Sequence, residues 1–237
     1  MIDSKIPDNK YIKVANENYD TRVLAFAQEK GGSGKTTIAA HMAVVLANRG
    51  YKIAIIDITP HKNIEKWYNL RETKLSNLAV SSTNIWNLHS EIEKFKVENF
   101  DIILIDTAPY NPMDSQMAFK FADLAIIPVQ PSPLDIWTTN ETIHFLDQER
   151  IPYRILWNRV LGDYSVFLHY SKFNANALNT HVPNHIDISL SMSRGLTIIE
   201  QDPNNFVTNT FYTLSEEILN LIVPNSEDVK NELHAAV

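Results

Sequence analysis

The sequence predicts a doubly wound α/β fold: a mostly parallel sheet with helices on both faces. Three observations lead there. Short, almost continuously apolar runs recur along the chain, among them Ala54-Ile55-Ile56, Ile102-Ile103-Leu104-Ile105 and Leu124-Ala125-Ile126-Ile127. Such runs suit parallel strands buried on both faces. Helical patterns separate them, so strand and helix alternate, as right-handed βαβ units require. The first strand also runs straight into a glycine-rich loop and a helix, and three of the chain's six glycines fall in that loop.

The elements follow in order. Residues 1–20 are polar, mixed in charge and without a clear period, and read as a short N-terminal extension. Residues 21–237 read as a single domain, the natural prior for a chain of 237 residues. Strands are predicted at Val23–Ala27, Lys52–Asp57, Leu78–Ser81, Ile102–Asp106, Leu124–Val129 and Tyr153–Trp157, with His185–Ile188 a further candidate. Helices are predicted at Lys35–Asn48, Asn63–Leu70, Asn84–Phe95, Asp114–Phe121, Leu134–Gln148 and Asn205–Ile222. The first carries apolar residues at 38, 39, 42, 45 and 46, a helical stripe, and Gly50 stands where a helix stops. Ser132 or Pro133 can open the helix before Trp137, with Asp135 in its first turn. The segment Leu161–Asn184 is less regular, and Tyr164 to Leu178 can form a helix with several aromatics.

Composition narrows the class. Hydrophobic residues make up 44% and charged residues 21%, ordinary for a soluble globular protein. No apolar run approaches the length of a membrane span, and Met1-Ile2-Asp3-Ser4-Lys5 lacks the apolar core of a signal peptide. The chain has no cysteine, which excludes disulfides, thiolate zinc sites and iron–sulfur clusters. A cytoplasmic location is expected. A net charge of −7 offers no general attraction for nucleic acid or anionic lipid. The eight histidines show no metal-ligand spacing.

The stretch Gln28-Glu29-Lys30-Gly31-Gly32-Ser33-Gly34-Lys35-Thr36-Thr37 carries the chemistry. Glycines let successive backbone N–H groups face inward without a Cβ to hold an anion away. The helix that follows presents its N-terminal N–H groups and positive dipole end to the same anion. Lys35 is placed to neutralise β- and γ-phosphate charge, and the Thr36 hydroxyl to ligate Mg²⁺. A nucleoside triphosphate site is expected here. The ordinary P-loop has glycine where Glu29 stands. Instead, the run Lys30-Gly31-Gly32-Ser33-Gly34-Lys35-Thr36-Thr37 resembles the deviant Walker A box of the ParA/MinD ATPases. Nitrogenase iron proteins share a similar loop but need cysteines.

That resemblance, covering roughly residues 22–223, implies a P-loop ATPase using ATP/ADP and Mg²⁺. It assigns nucleotide contacts to Lys30, Gly31, Gly32, Ser33, Gly34, Lys35, Thr36 and Thr37. It makes Lys30 the signature lysine that reaches across an ATP-dependent homodimer to the partner's nucleotide. Lys30, Lys35 and Asp57 are the candidate catalytic residues.

In such sheets ligands bind beyond the carboxyl ends of the strands. Asp106 ends a buried strand and is followed by Thr107-Ala108-Pro109, like the family's Asp-Thr-(Pro/Ala)-Pro turn. With Thr36 it is the candidate magnesium site, Asp106 acting through water. Asp57 is placed near the same ion. The next residues depart from the usual Asp-x-Asp-Pro-Gln: Thr59 stands for the second aspartate and His61 for the glutamine. Threonine can hydrogen-bond water but is no competent base, so slow hydrolysis is expected. The alternative is that Asp57 or His61 takes part of that task. Gln130 to Trp137 resembles the segment bordering nucleotide and dimer face in small plasmid-partition and VirC-type conjugation ATPases. Asn158 matches the asparagine that reads the adenine edge. Gly195 to Pro203 resembles the loop that covers the base, which makes Pro203 a nucleotide contact.

The family implies a switch that positions or segregates DNA, released by a ParB-like or other stimulating partner. Nonspecific DNA is therefore a candidate ligand, although residues 196–237 hold seven acidic residues against Lys230 alone. A DNA surface would draw on Arg150, Arg154, Arg159, Lys172 or Arg194. No membrane partner is expected, because the C-terminal stretch is acidic and weakly apolar. A second reading is a nucleotide-bound adaptor of the VirC type with little turnover.

Overall fold

The computed structural model describes residues 20–109, 112–162, 173 and 175–223. Nearly all of the expected extension, most of Tyr164–Leu178, Lys172 and the stretch from residue 224 onward lie outside the described residues. Six strands form one parallel sheet: β1 (Arg22–Phe26), β2 (Ile53–Asp57), β3 (Leu78–Ser82), β4 (Ile102–Asp106), β5 (Leu124–Val129) and β6 (Tyr153–Trp157). Their order across the sheet is β3-β2-β4-β1-β5-β6. The helices are α1 (Lys35–Asn48), α2 (Asn63–Asn69), α3 (Leu88–Val97), α4 (Pro112–Phe119), α5 (Pro133–Gln148), α6 (Ile186–Met192), α7 (Ile198–Gln201) and α8 (Phe206–Ile222). This is the predicted doubly wound α/β architecture.

The apolar runs explain the layering. Every residue of β2, β4 and β5 is buried, because alternate side chains enter opposite cores. On one face Leu24, Phe26, Ile53, Ile55, Leu104 and Ile126 pack with α1 and α8. On the other, Ala25, Ile56, Ile103, Ile105 and Ile127 pack with α3, α4 and α5. Each Ile or Leu so enclosed contributes roughly 1.5–3 kcal/mol of transfer free energy.

Three expectations change. The stripe on α1 widens until Ile38 through Ala47 are all buried, because α8 covers the side of α1 that faces away from the sheet. The predicted helix from Asn84 begins as a 3-10 turn, Ile85–Asn87, which the Asn84 side chain caps by accepting the Asn87 N–H. His185–Ile188 is not a strand: His185 is extended, and the helix α6 starts at Ile186 with Asp187 in its first turn. A carboxylate there favours the positive helix end.

Register sets the site. Phe26 on β1 and Asp57 on β2 both stand beside Asp106 on β4. The loop after β1 and the carboxylates ending β2 and β4 therefore share one edge of the sheet, its carboxyl end.

Candidate nucleotide site

The loop between β1 and α1 is held from below and from the side. Lys35 Nζ donates to the Gln28 carbonyl at 2.7 Å, and Gln28 Nε2 donates to Thr139 Oγ1 on α5 at 2.7 Å. Thr107 Oγ1 donates to the Phe26 carbonyl at 2.7 Å. From the far side, Asn158 Nδ2 donates to the Ser33 carbonyl at 2.7 Å. Gly34 has φ +103°, and a Cβ there would lie 2.3 Å from that same Nδ2. Glycine is required at this position twice over, by backbone angle and by the close approach of Asn158.

Thr36 and Asp106 meet as expected. Thr36 Oγ1 donates to Asp106 Oδ2 at 2.7 Å, whereas the buried Asp106 Oδ1 has no hydrogen-bond partner. Burial, and to a lesser degree the neighbouring Asp57 carboxylate, pushes Asp106 up to about 7 despite the Thr36 hydrogen bond and the Lys35 charge. Burial likewise lowers Lys35 to about 8, against the pull of Asp106. An unpaired carboxylate oxygen beside a hydroxyl fits a hard divalent cation, which takes oxygen ligands and raises the stability of the ionised form. These residues fit Mg²⁺.

Asp57 stands beside Asp106, as the register of β2 on β4 requires, and its carboxylate is held by backbone. Oδ1 accepts the Thr59 N–H at 2.8 Å and Oδ2 accepts the Ile64 N–H at 2.9 Å. Its carboxylate thus turns back onto the backbone and shapes the 57–64 loop, since a short acidic side chain satisfies nearby N–H groups. The buried Thr59 hydroxyl has no partner, and Thr59 and His61 both line the cleft.

A cavity of about 240 Å³ opens over the loop, lined among others by Gly32, Lys35, Thr36, Thr59, Thr107 and Arg159. A second, small one lies beside it, between Asn158 and α6, bordered by Pro183, His185 and Ile188. Asn158 uses one hydrogen on Ser33, and its Oδ1 accepts the Arg159 N–H at 2.9 Å. The carboxamide keeps a second N–H and a second lone pair. Pro203 lies apart: it is exposed on the turn between α7 and α8 and lines neither cavity.

Lys30 does not point into the cradle. Its ammonium is on the Asp135 carboxylate, with Lys30 34% exposed and Asp135 1%. Ser132 caps α5 by accepting the Asp135 N–H, and its hydroxyl donates to Asp135 Oδ2 at 2.5 Å. Gln130 Nε2 reaches the Gly32 carbonyl at 3.2 Å.

Sequence reasoning had no signal for the support behind this site. Arg71 is buried against Glu200 and donates to the Gly195 carbonyl at 2.9 Å, and Trp67 Nε1 donates to the Leu196 carbonyl at 3.0 Å. Gly195 has φ +70°, and a Cβ there would come within 2.7 Å of the backbone of Leu70 and Arg71. His41 on α1 is fully buried, stacked on Phe211 at 4.6 Å. Its Nε2 accepts the Ile198 N–H, so Nδ1 carries the proton that meets the Thr37 carbonyl at 2.8 Å. Only pairs distant in sequence reveal these ties.

A parallel sheet with an anion-binding loop, a buried Thr–Asp pair and a lysine beside them define a P-loop nucleotide-binding protein. Residues 24–232 match the model of the CobQ/CobB/MinD/ParA nucleotide binding domain. The chain belongs to this family and is of the ParA/MinD type. It is 30% identical over 132 residues to the maintenance of carboxysome distribution protein A of Halothiobacillus neapolitanus. That match takes in 54% of this chain and 59% of the relative. It is 22% identical to the virulence plasmid ParA family protein pGP5-D of Chlamydia psittaci, over 90% of this chain and all of that one. Among solved structures, the fold is that of the septum site-determining protein MinD of Pyrococcus horikoshii complexed with Mg-ADP, with a TM-score of 0.68 and 18% identity. The overlap covers 85% of this chain and 97% of that one. Among the described residues, no helix is long and apolar enough to cross a membrane.

Proposed function

We propose that this protein is an ATP-dependent dimerising switch that positions or segregates DNA, such as a plasmid or chromosome, with slow intrinsic hydrolysis. The observation that carries the reading is the position of Lys30. It belongs to the phosphate-binding loop, yet it rests on Asp135 beside the cradle and remains one-third exposed. On exchanging its Asp135 contact, this second cation would reach a nucleotide held by another copy, where it would offset charge that one subunit leaves uncovered. ATP would then join two copies, and its hydrolysis would part them. ATP and ADP would lie on Gly31 through Thr37. Thr36 and Asp106 would hold Mg²⁺, which supplies charge neutralisation at the β- and γ-phosphates. Lys35 would contact those phosphates, and the spare donor and acceptor of Asn158 would meet the adenine edge. Asp57 would serve by holding the loop that presents Thr59. The relatives named for plasmid and carboxysome distribution support a positioning role.

A second reading, a nucleotide-bound adaptor with little turnover, draws on Thr59. Its buried hydroxyl at the cleft can order water but cannot take a proton from it. One experiment separates the two: binding to nonspecific DNA across a salt series with ATP, ADP or no nucleotide, alongside light scattering for mass. The switch reading expects ATP-dependent dimers and DNA retention whose logarithm falls linearly with that of salt. A monomer that binds ATP, turns it over negligibly and ignores DNA would establish the adaptor instead. Lys30→Ala should leave ATP binding and abolish the dimer.

A further inference from the structure

Arg159 follows β6 and reads from sequence as one of several surface cations. The fold places it elsewhere. Three residues, Gly34, Thr37 and Arg159, line both the cavity over the phosphate-binding loop and the one beside Asn158. Arg159 therefore stands where the two halves of the cleft meet. Its backbone is fixed there. Its N–H is held by Asn158 Oδ1, and Asn158 is in turn tied to the Ser33 carbonyl of the loop. Arg159 also adopts φ 54°, a left-handed conformation uncommon outside glycine and asparagine.

The charge around it is one-sided. No carboxylate is among the residues lining either cavity, and the basic residues lining the larger one are Lys35, His61 and Arg159. Lys35 is already set at the inner end, on the Gln28 carbonyl and beside Asp106. Among the described residues, the Arg159 guanidinium makes no ion pair and no side-chain hydrogen bond. A planar fork of donors on a residue that lines a cavity with no carboxylate among its lining residues is suited to a phosphate.

We propose that Arg159 is a nucleotide-binding residue whose guanidinium grips the phosphate joined to the ribose. The inference rests on the nucleotide-site reading above. The loop and Lys35 take the outer phosphates and Asn158 faces the base, so the group crossing the Gly34–Thr37–Arg159 junction is the 5′-phosphate of the nucleoside. A contact there is shared by ATP and ADP, unlike one from Lys30. Loss of Arg159 would weaken both nucleotides by the same factor and leave their ratio unchanged.

The test is titration of ATP and ADP into the full chain with Mg²⁺, for wild type, Arg159→Asn and Arg159→Lys. Asparagine tolerates the left-handed backbone, and melting of the nucleotide-free proteins verifies the fold. We expect Arg159→Asn to raise both dissociation constants about tenfold, with Arg159→Lys recovering part of the loss. Affinities for both nucleotides within twofold of wild type would overturn the inference, with wild-type binding leaving the site itself intact. A loss confined to ATP would also overturn it, by placing the contact on the terminal phosphate. If wild type bound neither nucleotide, the site reading would fall with it.

Discussion

Lys30 and Asp135 form an unequal pair: the carboxylate is 1% exposed, whereas the lysine is 34% exposed. The two halves therefore have different alternatives when separated. Lys30 can turn its ammonium into water. Asp135 cannot, and one of its oxygens already lacks a partner. Removing the lysine strands a buried charge, whereas neutralising the aspartate strands nothing.

In urea denaturation of the nucleotide-free protein, Lys30→Ala should therefore cost about 3 kcal/mol, and Asp135→Asn under about 1 kcal/mol. The double variant should recover most of the loss of Lys30→Ala, giving a coupling energy measurable as a double-mutant cycle. Equal losses from both single variants would refute this account of the pair.

Thr59→Asp places a carboxylate where the cleft now has an unpartnered hydroxyl. ATP turnover with Mg²⁺ should rise at least about tenfold, since a positioned base contributes on the order of 10²–10⁴. The new charge lies beside Asp57, whose Oδ1 accepts the Thr59 N–H, so the melting temperature should fall. Unchanged phosphate release would show that Thr59 does not limit hydrolysis.

His41 supplies a pH signature. Burial lowers it from 6.5 to about 4, against the opposing Thr37 carbonyl and Glu200 charge. Below pH 6.5 the unfolded chain binds a proton that the folded chain refuses until about pH 4. Stability from this group is thus complete above pH 6.5 and lost progressively toward pH 4, by roughly 3 kcal/mol in total. His41→Phe should flatten that part of the curve. It should also lower stability at pH 7 by about 1–3 kcal/mol, because the Ile198 N–H loses its acceptor. Urea midpoints across pH 4–8 check both effects.

Gly195→Ala should destabilise the fold by roughly 2–4 kcal/mol. Its φ of +70° is strained for alanine, and the new Cβ would meet rigid backbone of Leu70 and Arg71 at 2.7 Å. Gly32→Ala is the comparison. Gly32 has φ +79° but open space around it, so its stability cost should stay near 1 kcal/mol, from the backbone conformation alone.

Local pattern was enough for the scaffold and for the cradle. Apolar runs such as Ile102–Ile105 located the strands, and turn chemistry located the starts of α1 and α5, because burial and capping act over a few neighbouring residues. Thr36 and Asp106 can be paired from sequence only through the family resemblance, and the sheet supplies the reason by putting the ends of β1 and β4 side by side. Asp57 was harder. Its position at the end of a strand is readable, but not the two backbone N–H groups of Thr59 and Ile64 that hold its carboxylate.

By itself, the sequence determined the α/β class, the phosphate-binding loop, its extra lysine and the threonine at position 59. Each is encoded in residues close together along the chain. Tertiary structure alone decided what those residues face: Lys30 against Asp135 across 105 positions, Asn158 against Ser33 across 125, and Arg159 at the junction of the cleft. The order of strands in the sheet sets such pairings, and no local period carries that order.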